Sequence, residues 1–148
     1  MRSISWLMLV AACAGIAQAS GPISVYALVD KVTFEPGGDN PQHIRIEGVF
    51  ITSQSQRADA YSAPQKGYLY FSLPSGKDDV ARREWADLKT AAGTRQVIGL
   101  GSSWFSTVRV RKSNEEPRYA DEYPLGNGLI RVNPEQPRAK ALLDYKER

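Results

Sequence analysis

The sequence predicts a small, mainly β domain of the α+β kind, a five- or six-stranded Greek-key barrel like the OB fold, with one helix between the third and fourth strands. Three observations predict it. Three stretches in the first half of the chain carry strand-like alternation or β-rich composition. A single strong helical stripe follows them, and two or three short strand-like runs come after the helix.

Val25 to Phe34 is the first strand, rich in Val, Leu and Phe, and it stops at the turn-forming cluster Glu35-Pro36-Gly37-Gly38-Asp39-Asn40-Pro41. Its alternation falters at Asp30-Lys31, where a bulge or bend would reconcile the two halves. His43 to Ile51 alternates cleanly, with Ile44, Ile46, Gly48 and Phe50 on one face and Arg45, Glu47 and Val49 on the other. Thr52 to Gln65 is polar and reads as a long loop. Lys66 to Leu73 is the third strand, with Leu69 and Phe71 on one face and Tyr68 and Tyr70 on the other.

Pro74-Ser75-Gly76 ends that strand, and Asp78 can cap a helix whose stripe is Ala81, Trp85, Leu88 and Ala92. Gly93 is the expected stop. Arg95 to Leu100, Thr107 to Lys112 and Leu129 to Val132 read as the fourth, fifth and sixth strands. Ser113 to Gly128, charged and rich in Pro and Gly, reads as loop. Ala139, Leu142 and Leu143 suggest a short closing helix.

The chain opens with Arg2, an apolar run from Ile4 to Val10, small residues to Ala17, and Ala17-Gln18-Ala19, which a signal peptidase can cut before Ser20. The run is shorter than the roughly 20 residues that span a bilayer. Residues 1–19 therefore read as a cleavable signal peptide and 20–148 as a single domain, exported to the periplasm or secreted. A second cleavage pattern, Val10-Ala11-Ala12-Cys13, would instead make a lipoprotein anchored through Cys13.

Of the 148 residues, one is cysteine and two are methionine. Cutting before Ser20 removes Cys13, Met1 and Met8, leaving no disulfide, thiol nucleophile or thiolate metal site. Loss of Arg2 lowers the net charge of +3 by one, too small an excess to imply a polyanion-binding protein by itself. The remaining length suits one domain with one core.

Val25-Tyr26-Ala27-Leu28-Val29-Asp30-Lys31-Val32, Lys66-Gly67-Tyr68-Leu69-Tyr70-Phe71, Arg83-Glu84-Trp85-Ala86-Asp87-Leu88-Lys89 and Tyr123-Pro124-Leu125-Gly126 together resemble a family of uncharacterised small exported bacterial proteins. The resemblance implies a bacterial origin and an exported single domain. It implies no activity and no catalytic residue.

Chemistry has few handholds. The sole histidine, His43, begins a strand and lies in no nucleophile-elbow motif. One histidine without thiols argues against zinc, and Glu35 to Asn40 lacks the spaced acids of a calcium loop. Gly99-Leu100-Gly101 has neither the third glycine nor the following helix of a dinucleotide site and reads as a strand-end bend. Asp30 and Glu47 are conceivable as a glycosidase pair, but such pairs arise by chance among sixteen acids. No metal or other cofactor is expected.

The strongest local feature is a polar and aromatic sheet face. Arg45, Tyr68 and Tyr70 would form stacking rings beside a cation, Arg109 and Arg111 share one face of a later strand, and Trp104 begins a further aromatic pair with Phe105. OB barrels use the face of their second and third strands for oligonucleotides and oligosaccharides. The competing expectation is that Tyr68 and Tyr70 cover a second hydrophobic surface, their hydroxyls reaching outward.

The leading expectation is a non-catalytic exported binding or adaptor module. Its partner would be an anionic glycan, another envelope polymer or another exported protein; export argues against genomic DNA. Two alternatives are a hydrolase using carboxylates or His43, and a structural accessory of an envelope complex docking through Trp104-Phe105 and the Tyr123 to Leu125 segment.

Overall fold

The computed structural model describes residues 23–35, 43–53, 60–72, 79–101, 108–117, 121–122 and 129–147. The expected leader, Cys13, Trp104-Phe105 and Tyr123 to Leu125 lie outside these residues.

The elements run β1 (Ile23–Glu35), β2 (His43–Thr52), β3 (Gln65–Ser72), α1 (Asp79–Thr94), β4 (Val97–Gly101), β5 (Asp121–Glu122), β6 (Leu129–Arg131) and α2 (Pro137–Leu143). One six-stranded sheet has the order β5-β3-β2-β1-β4-β6. Neighbours are antiparallel except β3 and β5, which are parallel. The first four strands make a Greek key: three run as a meander, and after α1 the fourth returns to lie beside the first. The described pairings form an open sheet with β5 and β6 at its margins; closure into a barrel is not among them.

The expected irregularity at Asp30-Lys31 is a register shift in the β1–β2 ladder between Val29 and Lys31. One extra residue reverses which side chains face which way. Val25, Ala27 and Val29 before it, and Val32 and Phe34 after it, therefore all join one core with Ile44, Ile46, Phe50, Leu69, Phe71, Ile98 and Leu100. From α1, Leu88 and Ala91 pack into the same core, with Ala92 at its margin. Burying each large aliphatic or aromatic group there stabilises by about 1.5–3 kcal/mol.

The opposite face has its own smaller core: Tyr26, Leu28, Val49, Ile51 and Val97 under Ala139 and Leu142 of α2. That helix begins with Pro at its first turn after an extended Gln136, which suits proline's missing N–H. No helix among the described residues is long and apolar enough to cross a membrane.

Three sequence expectations need correction. Thr107 to Lys112 is not a ladder strand: its described part meets β3 at one bridge, Tyr68 with Arg111. Its alternation instead reports burial, since Val108 is 7 % exposed and Val110 packs at the edge of the core. The Ser113 to Gly128 stretch expected as loop contains β5, two polar residues that carry no period of their own. Gly93 does not stop α1, which continues to Thr94; Arg95, at φ 53, takes the left-handed turn that ends it.

Candidate functional site

Directly opposite residues in an antiparallel pair share a face. Between β2 and β3 the pairs His43–Ser72, Arg45–Tyr70 and Glu47–Tyr68 stand side by side. Across β1 the bulge aligns Lys31 with Glu47, Thr33 with Arg45 and Glu35 with His43. This polar area lies on the α2 side of the sheet, beyond the apolar part that α2 covers. The alternation of β2 and β3 put Arg45, Tyr68 and Tyr70 together in the sequence, and the fold does so in space.

Arg45 lies over Tyr68, its guanidinium carbon 3.8 Å from the ring centroid, and its Nε donates to Glu47 Oε1 at 2.8 Å. Such a cation–π contact stabilises by about 0.5–2 kcal/mol, more as water is excluded. Tyr68 is 0 % exposed. Its hydroxyl donates to the Glu115 carbonyl at 2.5 Å, and its main-chain N–H and C=O each bond Arg111 at 2.9 Å. The turn closed by the Glu115 N–H on the Lys112 carbonyl at 2.9 Å carries Ser113, whose carbonyl accepts from Arg45 Nη2 at 3.4 Å.

Beside this pair, Tyr70 stacks on His43 with ring centroids 5.3 Å apart and planes 8° from parallel. The Tyr70 hydroxyl donates to Glu35 Oε2 at 3.1 Å. Burial, helped by that bond and by the nearby carboxylate, pushes the phenol pKa up. His43 is thus half of a stacked pair, not a bare strand-end side chain.

Arg111 shares the face of Tyr68 through their bridge, and its side chain is 4 % exposed. Arg109 is open, at 63 %, and its Nη2 bonds Glu115 Oε1 at 2.6 Å; Arg111 Nη1 stands 4.0 Å from the same oxygen. Five of the six expected site residues, Arg45, Tyr68, Tyr70, Arg109 and Arg111, therefore belong to one connected cluster. Trp104 lies outside the described residues.

Of the two roles open to the tyrosines, burial goes with the covered one: Tyr68 is 0 % and Tyr70 9 % exposed. Tyr68 and Tyr70 are the cluster's floor, and the surface above them is made by Arg45, His43, Arg109 and the 112–115 turn. Sequence reasoning missed Glu115, which joins Arg109 to the floor. Its one sequence signal is an acid four residues after Arg111, inside a stretch read as loop. Asp30 of the conceivable acid pair is the bulged residue, and it is Lys31 that stands directly opposite Glu47.

A second aromatic cluster closes the other half of this face. Tyr61 meets Tyr26 edge-on at 5.6 Å, Arg138 of α2 lies 3.9 Å over Tyr61, and the Tyr61 hydroxyl donates to the Ile23 carbonyl at 2.7 Å. Burial, then the neighbouring Tyr26, raises the Tyr61 pKa. These contacts clasp residues 60–62 and α2 to the start of β1. Among the described residues, no group of three or more His, Cys, Asp or Glu is arranged to hold a metal ion.

No family model, curated protein or solved structure matches the chain.

Proposed function

We propose that the chain is an exported, non-catalytic binding module of the bacterial envelope, an OB-like domain whose β2–β3 face takes an anionic glycan. The observation that carries this is the meeting of Arg45, stacked on the fixed Tyr68 ring, with the open Arg109, which is joined to that floor through Glu115. Arginine forks suit carboxylate and sulfate groups, and a floor held by hydrogen bonds presents them without much ordering on binding. Lys31 stands on the same face, directly opposite Glu47.

The Greek-key order with a helix between β3 and β4 supports the OB-like reading. A partly open barrel is normal for that fold. The leader-like opening supports export, to the periplasm or beyond, with residues 20–148 as the working domain.

The test is titration of the protein against polygalacturonate, dextran sulfate and neutral dextran, beside an Arg45→Ala/Arg109→Ala variant that melts cooperatively. Each charge-assisted bond lost costs about 1.5–3 kcal/mol, so the variant should bind the anionic polymers at least tenfold more weakly. Added salt should weaken the wild type, and neutral dextran should not bind. Equal binding by both proteins, or none by either, would refute the proposal.

A further inference from the structure

We infer that Glu115 occupies the seat of the ligand's own acid group, and that the ligand is therefore a carboxylated polysaccharide of the uronate kind; this rests on the binding role proposed above. The Glu115 carboxylate is held by Arg109 at 2.6 Å, with Arg111 at 4.0 Å from the same oxygen. One carboxylate oxygen thus already sits between two guanidinium groups.

The anchoring of Glu115 makes the exchange feasible. Its main chain is fixed twice, by the bond from the Tyr68 hydroxyl and by its own N–H on Lys112. Its side chain is 31 % exposed and is tethered through the arginines. The carboxylate can swing out to solvent while the turn stays on the floor, and an incoming carboxylate then meets the same guanidinium groups. Glu115 thus acts as an internal competitor that lowers affinity for anything offering one weak charge.

Polysaccharide is favoured over acidic peptide by the strand edge beside the seat. A peptide docking on a sheet draws its affinity from main-chain bonds to a free edge. At Tyr68 that edge is taken, since both its N–H and its C=O are bonded to Arg111. Recognition there runs through side groups, as it does for a polymer with repeated carboxylates.

The experiment compares wild type, Glu115→Gln and Glu135→Gln in the full chain, titrated with polygalacturonate, polyglutamate and dextran sulfate. Glu135 pairs with Lys140 beside α2, so its variant makes the same charge change away from the seat. An exposed or half-exposed ion pair stabilises modestly, so freeing the seat should tighten polygalacturonate binding about two- to fivefold in Glu115→Gln and leave Glu135→Gln unchanged. If Glu115→Gln does not melt cooperatively, Glu115→Asp carries the test: it keeps the charge, draws the carboxylate back from Arg109, and should show a smaller gain. A Glu115→Gln affinity no higher than that of Glu135→Gln overturns the inference, while wild-type binding lost in Arg45→Ala/Arg109→Ala would leave the binding face standing. A larger gain on polyglutamate or dextran sulfate overturns the ligand class. Binding by no protein to any of the three fails the binding role itself.

Discussion

Replacing Gly67 with alanine tests the contact that builds the site. A Cβ there would lie 2.1 Å from the Arg111 carbonyl oxygen, a main-chain atom with no flexible end to swing away. The 108–112 segment would have to retreat by about 1 Å to relieve the overlap, since nonbonded carbon and oxygen atoms repel steeply inside contact distance. That retreat stretches the two Tyr68–Arg111 bonds, now 2.9 Å, beyond hydrogen-bond range. Each contributes about 1 kcal/mol net, so Gly67→Ala should destabilise by about 2–3 kcal/mol once overpacking is included. With a urea slope of about 1–3 kcal/mol per molar, the midpoint should fall by roughly 1 M. Amide exchange should speed at Tyr68 and Arg111 while β1–β2 amides stay protected against local opening. An unchanged midpoint with unchanged exchange at those two amides would show that the segment does not seat on β3, and the site as described would not exist.

Other perturbations have definite signs. Gly93 lies inside α1 with nothing within 4 Å of an added Cβ, so Gly93→Ala should stabilise by about 0.5–1 kcal/mol in the same denaturation assay. Tyr68→Phe keeps the ring under Arg45 but loses the hydroxyl bond to Glu115, at a cost of about 1 kcal/mol read from the urea midpoint. Tyr70 and Tyr61 both titrate above the ordinary phenol value of about 10, so the folded state holds their protons more tightly than the unfolded state. Their stabilising effect is complete below that value and is lost as pH rises through the raised folded pKa. The melting temperature should therefore drop in alkaline buffer, and Tyr70→Phe should flatten part of the drop. Deleting Asp30 removes the bulge and would turn either the apolar or the polar half of β1 to the wrong face; cooperative melting should be lost.

Much of the sheet was legible because β2 alternates without a break. Ile44, Ile46 and Phe50 had to share a face, and they do, buried at 0 % each. The bulge was legible too, because charged Asp30 and Lys31 interrupt a run whose two apolar halves fit one core only if the parity changes between them. The closing helix showed in Ala139 and Leu142, now both buried under the sheet's second face. What could not be read was who covers whom across long separations. Tyr68 looks like an exposed platform until the turn bearing Glu115, 47 residues away in sequence, is laid over it. The Arg109–Arg111 run reads as a strand because alternation reports which side chains are buried, whereas ladder bonds depend on a partner no local pattern names.

The site's position follows from a mismatch of lengths. β1 has 13 residues and runs about 40 Å at a strand's rise, while α2 has seven and covers about 10 Å at a helix's rise. A helix that short cannot shelter the whole second face. Where it lies, β1 and β2 present Tyr26, Leu28, Val49 and Ile51 to it. Beyond it, the same strands must offer water something other than apolar surface, and Lys31, Thr33, Glu35, Arg45 and Glu47 do so. The two tyrosines of β3 would still expose broad rings there, and Arg45, His43 and the 112–115 turn cover them. The polar cluster is thus the fold's answer to an uncovered half-face, and that origin explains why its tyrosines are buried and Arg109 lies outermost. A ligand meeting this surface meets charge first, so mutation of Arg45 and Arg109 should separate binding from folding where mutation of Tyr68 cannot.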